Sequence, residues 1–123
     1  MNPAKQHSDA CKAVRNHLRA RGYIVYANLA VGRGGRADRE VVGNGPCVLF
    51  LEIKTGAAKL SPGQREEQII LDKRMALYRM ARVNHLPGSR NYDFSQVDAA
   101  VAELNRLNGI LLAALGKATE NNP

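Results

Sequence analysis

The sequence contains no tryptophan, two phenylalanines and four tyrosines, so an aliphatic core must stabilise any fold that it adopts. Its two cysteines, Cys11 and Cys47, are too few for a disulfide framework or a four-cysteine zinc site. They are expected to be reduced core thiols. The longest apolar runs, residues 48–51 and 110–115, are too short to span a bilayer, and the polar start lacks the apolar segment of a signal peptide. The sequence therefore predicts an intracellular, cytoplasmic protein that does not associate with membranes.

Acidic residues are the other scarce class. The chain has 11 of them against 18 lysines and arginines, which gives a net charge of +7 over 123 residues. A charge of this size on a small protein suggests a polyanionic partner, with nucleic acid as the first candidate. The alternative is a basic surface that only keeps the protein soluble. The length fits a single domain, which we place at residues 1–116, followed by a frayed tail at residues 117–123.

The first half of the chain reads as one helix and three strands. Asn2 and Pro3 predict a helix start, and Gly22 predicts the helix end. The predicted strands then cover residues 23–29, 39–42 and 47–54, all rich in β-forming residues. The first five residues of the third strand are apolar, as expected for a strand covered on both faces.

The second half begins with a helix that Ser61 caps. Residues 76–83 either continue this helix or form a fourth strand, and we favour the strand. Ser95 caps a long final helix with an apolar stripe. The order α-β-β-β-α-β-α predicts an α/β fold in which helices flank a small mixed sheet.

Charged residues stand where the most apolar strand ends. Glu52 and Lys54 lie two residues apart and so point to one face of this strand. The tight turn after residues 39–42 can bring Asp38 alongside Glu52. Two converging carboxylates repel each other unless a proton or a cation lies between them, and oxygen ligands favour Mg²⁺ or Mn²⁺. A neighbouring lysine can orient water and neutralise developing charge, so a phosphodiester substrate would also explain the net charge.

These residues resemble the motif of the PD-(D/E)XK nucleases. Residues 35–71 are similar to one branch of that superfamily, the virus-type replication-repair nuclease (VRR-NUC) domain. The resemblance rests on residues 36–38 (RAD), 50–56 (FLEIKTG) and 59–66 (KLSPGQRE). It implies a restriction-endonuclease-like α-β-β-β-α-β core with a C-terminal helix added. It also implies a Mg²⁺-dependent DNA endonuclease that leaves 5′-phosphates and acts on branched, flapped or junction DNA. Mn²⁺ is expected to substitute for Mg²⁺.

Carried over to this chain, the resemblance assigns roles to individual residues. Asp38 and Glu52 would bind the metal ion together with the backbone carbonyl of Ile53. Lys54 would position the attacking water. Gln64 matches a glutamine close to the active site, although its spacing from Ser61 also fits a purely structural capping box.

Two departures from the family pattern concern the proposed metal site. Ala37 replaces a proline that shapes the backbone but contributes no ligand. The family also presents a glutamate from its first helix, and this chain has no glutamate before Glu40. Asp9 lies almost opposite the apolar stripe of that helix, whereas His7 lies on the stripe and is the better-placed substitute. The alternative for His7 is a histidine packed at a helix end. The departure leaves open a DNA-binding module of the same fold with weak or no catalysis.

Several basic residues are candidates for DNA contact. The glycine-rich loop at residues 32–36 would let the backbone approach a phosphate, and two arginines flank its glycines, unless it is only a flexible basic loop. It lacks the spacing of a P-loop, so no nucleotide cofactor is expected. The nucleic-acid-binding candidates are Arg33, Arg36, Lys59 and Arg65.

The end of the final helix, residues 109–115, is apolar on more than one side, which suggests a partner subunit. Stand-alone viral and bacterial family members tend to be homodimers, so the resemblance implies a homodimer as well. An assembly protein that uses this helix and a nuclease that acts on RNA remain the alternatives to a DNA endonuclease.

Overall fold

The computed structural model describes residues 2–27, 37–73 and 77–120. These residues form three helices and four strands in the order predicted from the sequence. The elements are α1 (Pro3–Arg19), β1 (Ile24–Ala27), β2 (Arg39–Val42), β3 (Val48–Lys54), α2 (Pro62–Lys73), β4 (Leu77–Arg82) and α3 (Ser95–Glu120). The segment left open as a helix or a strand is therefore a strand, β4.

The four strands form one mixed sheet in the order β1-β2-β3-β4. Strands β1, β2 and β3 are successive antiparallel neighbours, whereas β4 pairs with β3 in parallel. A parallel pair needs a crossover connection, and α2 provides it between these two strands. The sheet is thus the small mixed sheet that the sequence predicted, and the α/β fold class is confirmed.

One face of the sheet carries the core. Alternate residues of β3, namely Leu49, Leu51 and Ile53, are fully buried. They belong to one apolar cluster with residues of α1 and α3, which include Val14 and Leu104. Helix α1 begins as predicted, because the Asn2 side chain accepts a hydrogen bond of 2.8 Å from the Ala4 amide and proline occupies the first turn.

The other face is less completely covered. Helix α2 packs on β4, and Gln68 Nε2 donates to the Tyr78 carbonyl at 3.2 Å. Val48 and Phe50, which belong to this face of β3, are only partly buried. The expectation that β3 is covered on both faces is therefore wrong for the start of the strand, because α2 lies over its neighbour instead.

Polar side chains attach helix α3 to the sheet and to the turn before β3. The Arg79 guanidinium donates to both carboxylate oxygens of Glu103, at 2.9 and 2.7 Å. The buried Asn108 side chain accepts a hydrogen bond of 2.8 Å from the Cys47 amide, just before β3. A side-chain carbon added at Gly45 would collide with Asn108, so the turn before β3 requires glycine at this position.

The element boundaries differ from the prediction by a few residues. Strand β1 ends at Ala27, and helix α3 continues to Glu120, beyond residue 116 where we ended the domain. Residues 117–120 therefore belong to a helix instead of the predicted tail, while residues 121–123 lie outside the described residues. Across the parts of the chain that the structure describes, no helix is long and apolar enough to cross a membrane.

Candidate active site

The pairing of β2 with β3 positions the two candidate carboxylates. Arg39 is opposite Leu51 in this antiparallel pair, so the preceding residue, Asp38, comes next to Glu52. The Asp38 carboxylate is held in place by the backbone, because its Oδ2 accepts a hydrogen bond of 2.8 Å from the Ile53 amide. The short hairpin thus brings Asp38 and Glu52 together at the end of β3.

Glu52 is a buried carboxylate, with 4% of its surface exposed. Lys54 Nζ lies 3.5 Å from its Oε1, whereas its Oε2 is buried and has no hydrogen-bond partner among the described residues. Burial raises the pKa of Glu52 to about 8, helped by the charge of Asp38 and a hydrogen bond between the two carboxyl groups, and opposed by Lys54. A proton or a cation must therefore satisfy this pair.

His7 reaches the same place from the first turns of α1. Its Nε2 lies 3.2 Å from Asp38 Oδ2 and 3.0 Å from the Ile53 carbonyl oxygen. Asp9, the other candidate on α1, instead forms an exposed ion pair with Lys5 at 3.2 Å. The structure therefore brings His7, and not Asp9, to Asp38 and the Ile53 carbonyl.

The donor set fits a small divalent cation. Ligands at about 2.1 Å in octahedral geometry are about 3.0 Å from their neighbours, and His7 Nε2 has these separations from Asp38 Oδ2 and the Ile53 oxygen. The unpartnered Glu52 Oε2 adds an oxygen that has lost its hydration without gaining a partner. Asp38, Glu52 and the Ile53 carbonyl, with His7 beside them, can thus hold Mg²⁺ or Mn²⁺.

Two residues near this site were missed by sequence analysis, which treated Cys11 as a core thiol and assigned Tyr78 no role. Cys11 lies one turn after His7, with its Sγ 3.6 Å from His7 Nε2. Tyr78 of β4 is fully buried, and burial together with the charges of Glu52 and Asp38 raises its pKa above the usual range. Their apolar surroundings gave no signal of the site, because only the packing of α1 and β4 against β3 brings them there.

Gln64 forms the capping box. Its Oε1 accepts a hydrogen bond of 2.9 Å from the backbone amide of Ser61, and the backbone amide of Gln64 donates to Ser61 Oγ at 3.2 Å. The side-chain oxygen is thus engaged at the start of α2. A role for Gln64 in catalysis stays a prediction.

The candidate DNA-binding residues are distributed around this region. Lys59, in the loop after β3, and Arg65, in the first turns of α2, are exposed. Arg33 and Arg36 lie outside the described residues.

The loop that follows Lys54 is fixed by residues that sequence analysis missed. Arg82 donates to the carbonyls of Gly56 and Ala58, at 2.6 and 2.8 Å, and the Gly56 amide donates to Asn84 Oδ1 at 2.7 Å. Gly56 has a φ of +60°, which favours glycine. A hollow of about 670 Å³ lies beside this loop, lined by residues from α1, the loop itself and the segment after β4. The backbone next to Lys54 is therefore held rigidly at the rim of a cleft.

Comparison with solved structures gives an informative match. No protein-family model matches this chain, and neither does any of the curated proteins. Among solved structures, a chain described as a VRR_NUC domain is similar to it, with a TM-score of 0.60 and 24% sequence identity. The match covers 78% of this chain and 94% of the other. The protein therefore has the fold of a VRR_NUC domain, as the motifs around Asp38, Glu52 and Gln64 predicted.

Proposed function

We propose that the protein is a metal-dependent endonuclease that hydrolyses phosphodiester bonds of DNA. The observation that carries the proposal is the buried Glu52 carboxylate, which faces Asp38, has Lys54 beside it and leaves Oε2 without a described partner. A purely structural ion pair would not need two carboxylates at this point, because Lys54 neutralises only one of them. The fold of a VRR_NUC domain supports the same conclusion.

In this proposal, Asp38, Glu52 and the Ile53 carbonyl hold Mg²⁺, or Mn²⁺ in its place, while His7 lies beside Asp38 as an alternative nitrogen donor. When bound, the cation supplies positive charge next to the phosphate that is attacked. The backbone amide of Ile53 fixes the orientation of Asp38 through its hydrogen bond of 2.8 Å. The ligands are thus aligned by the sheet before an ion binds, which lowers the cost of organising the site.

Lys54 has the role of placing the nucleophile. Its ammonium group lies 3.5 Å from Glu52 Oε1, and the Lys54 side chain is only 17% exposed, so its position beside the carboxylates is restricted. It can donate a hydrogen bond to a water aligned for in-line attack on phosphorus, and it offsets the negative charge that develops there. Gln64 at the start of α2 is the fourth catalytic candidate.

The substrate is assigned to DNA because of the net charge of +7 and the fold. Lys59 and Arg65 supply exposed positive charge in the segment that follows Lys54, and Arg33 and Arg36 are further candidates from the sequence before Asp38. No element in the described residues resembles a base-reading module, so we propose selection by DNA shape: branched, flapped or junction DNA.

The proposal includes a homodimer. Ile110 and Leu112 on α3 are 54% and 48% exposed, as are Ile24 and Tyr26 on the edge strand β1, at 54% and 55%. Apolar side chains in this number favour an interface. The double variant Ile110→Glu/Leu112→Glu should convert a dimer to a monomer in light scattering, and a monomeric wild type would refute this part.

The main test is a cleavage panel of linear, flapped, splayed and four-way DNA with Mg²⁺, Mn²⁺ or EDTA. We expect metal-dependent cleavage of at least one branched substrate. Lys54→Ala and Glu52→Ala should abolish it while DNA binding persists. RNA substrates tested side by side with the DNA substrates distinguish a DNA nuclease from an RNA nuclease. Cleavage that persists in EDTA or in Glu52→Ala would contradict the proposal.

A second candidate function is a DNA-binding module with weak or no cleavage. It is favoured by His7, because an Nε2–H that donates to Asp38 or Ile53 would occupy the oxygens that an ion requires. Under this alternative the wild type binds branched DNA and cuts it with neither metal, and His7→Glu gains Mg²⁺-dependent cleavage. If wild-type cleavage is strong and His7→Glu adds nothing, the alternative fails.

A further inference from the structure

The residues around His7 include a sulfur ligand that the proposed magnesium site does not use. Cys11 is buried, with 3% of its surface exposed, and its Sγ lies 3.6 Å from His7 Nε2. His7 Nε2 is in turn 3.2 Å from Asp38 Oδ2. One ligand atom from each of His7, Cys11 and Asp38 lies within 4.8 Å of the other two. Nitrogen, thiol sulfur and carboxylate oxygen thus converge on one point.

Two of these separations are close to those between the ligands of tetrahedral zinc. With bonds of about 2.3 Å to sulfur and about 2.05 Å to nitrogen or oxygen, a tetrahedron places sulfur about 3.6 Å from nitrogen and nitrogen about 3.3 Å from oxygen. The corresponding distances in this protein are 3.6 and 3.2 Å. Mg²⁺ avoids sulfur ligands, so Cys11 has no place in an all-oxygen magnesium site.

The site is also accessible and leaves one position open. The His7 side chain is 39% exposed and that of Asp38 20% exposed, so an ion can enter from the solvent side while Cys11 lies beneath. Three protein ligands leave a fourth position for water, as in zinc sites that are not closed by the protein. Residues at positions i and i+4 of a helix share one face, which is why α1 presents His7 and Cys11 together.

We infer that His7, Cys11 and Asp38 form a binding site for Zn²⁺ that overlaps the proposed magnesium site through Asp38. On binding, the ion replaces the thiol proton of Cys11, which leaves to solvent, and a sulfur–zinc bond forms without any change of oxidation state. Zn²⁺ on Asp38 Oδ2 weakens that oxygen as a ligand for a second cation and repels such a cation at close range. Zn²⁺ therefore inhibits cleavage that depends on Mg²⁺, and this inhibitory part rests on the proposed function.

The binding test uses Co²⁺ as a spectroscopic substitute for Zn²⁺ on the full-length, reduced, metal-free protein. Thiolate ligation of Co²⁺ gives a near-ultraviolet charge-transfer band. We expect this band in the wild type and in Cys47→Ser, the matched control at the other buried cysteine, which lies at the start of β3. Cys11→Ser and His7→Asn should lose it, and one equivalent of Zn²⁺ should displace Co²⁺ from the wild type. No band in the wild type, or a band that survives in Cys11→Ser, would overturn the inference.

Competition titrations give the affinity for Zn²⁺ directly. Loss of an outer-shell partner of a metal ligand typically costs about 10- to 100-fold in affinity, so loss of the Cys11 ligand should cost at least as much. Cys47→Ser should bind Zn²⁺ as the wild type does. Circular dichroism of each variant shows whether a lost signal comes from a lost ligand or from a lost fold, and His7→Asn repeats the test without altering the core thiol.

The inhibitory part is tested on the branched substrate that the wild type cuts best, with Mg²⁺ in large excess over Zn²⁺. Micromolar Zn²⁺ should inhibit the wild type and Cys47→Ser, and Cys11→Ser should need at least about tenfold more Zn²⁺ for half-inhibition. Equal sensitivity of the two cysteine variants would refute the overlap. If no variant cleaves DNA, the nuclease proposal fails, while the cobalt band still decides whether the zinc site exists.

Discussion

The two ends of β3 each bury one polar side chain, and the two burials differ in kind. Near the start of the strand, Asn108 of α3 is 2% exposed, and its side-chain oxygen accepts a hydrogen bond from the Cys47 amide. At its end, Glu52 is 4% exposed and faces a second carboxylate. In the described part of the chain, Asn108 Nδ2 and Glu52 Oε2 both lack a partner. A neutral unsatisfied group, from α3, therefore lies near one end of β3, and a group that can be charged lies at the other end.

The difference in charge distinguishes a structural residue, Asn108, from a candidate functional residue, Glu52. An unpaired buried amide costs about 1–3 kcal/mol, and an unpaired charge costs more. Asn108 offsets its cost by holding α3 to the turn before β3, where Gly45 leaves room for it. Among the described residues, Glu52 makes no comparable structural contact, since its partners there are Lys54 and the acidic Asp38. A stabilising role explains Asn108, whereas Glu52 requires an ion or a proton to explain its position.

The largest effects are expected from substitutions at the end of β3. Lys54→Ala should lower the cleavage rate by about 10²- to 10⁴-fold, the usual contribution of a group that positions or transfers a proton.

Glu52→Gln should lower the cleavage rate at least as much. This variant should also raise the melting temperature of the metal-free protein at pH 8.5, because the substitution removes a buried charge. Rates on branched DNA and thermal melts in EDTA test both expectations. A destabilised Glu52→Gln would mean that the carboxylate has a structural role.

The pH dependence of stability sharpens the same contrast. Glu52 loses its proton near pH 4.5 in the unfolded chain, but its pKa is about 8 in the folded protein. The metal-free folded state thus binds more protons between these values, so the free energy of unfolding falls as the pH rises from about 4.5 to 8, by at most about 1.4 kcal/mol per unit.

Bound Mg²⁺ takes the place of this proton, so added Mg²⁺ should raise the melting temperature more at pH 8.5 than at pH 6. Thermal melts of the wild type and Glu52→Gln in EDTA between pH 5 and 9 separate this group from all others. The same pH profile in both proteins would show that Glu52 does not cause it.

Part of this contrast could be predicted from the sequence. The alternation of β3 and the short turn before it place Asp38 opposite Glu52, because the register of a hairpin follows from its turn. The capping box of Ser61 and Gln64 is local and was also predictable. These features depend on residues that are close in the chain, and the element order followed from the same local patterns.

The features that could not be predicted depend on how distant elements pack. Cys11 lies on an apolar stripe of α1, and nothing in that stripe shows that the helix places Cys11 close to Asp38. Asn108 lies on α3, far along the chain from Cys47, whose amide donates a hydrogen bond to it. The partial exposure of Phe50 depends on α2 lying over β4 instead of β3. Tertiary geometry, which no periodicity encodes, decides each of these.

A smaller effect is expected at the start of β3. Asn108→Ala should destabilise the protein by about 1–3 kcal/mol, since it leaves the buried Cys47 amide without an acceptor. Cleavage per folded molecule should not change. Asn105→Ala on the same helix is the matched control, because it removes only an exposed hydrogen bond to Tyr23 and should cost less. Urea unfolding gives both values, and equal losses would remove the distinction between the buried and the exposed amide.

The smallest effects are expected from the surface charges that flank each end of the strand. Lys59 and Arg65 follow the end of β3 that carries the proposed site, whereas Arg106 is two residues before Asn108 on α3. In a Lys54→Ala background, which prevents cleavage, Lys59→Ala and Arg65→Ala should each weaken binding of branched DNA and lower the slope of log affinity against log salt by about 0.9. Arg106→Ala should leave this slope unchanged if DNA contacts the end of β3. A reduced slope for Arg106→Ala alone would place the DNA at the opposite end of the strand, away from Glu52, and would separate binding from the proposed chemistry.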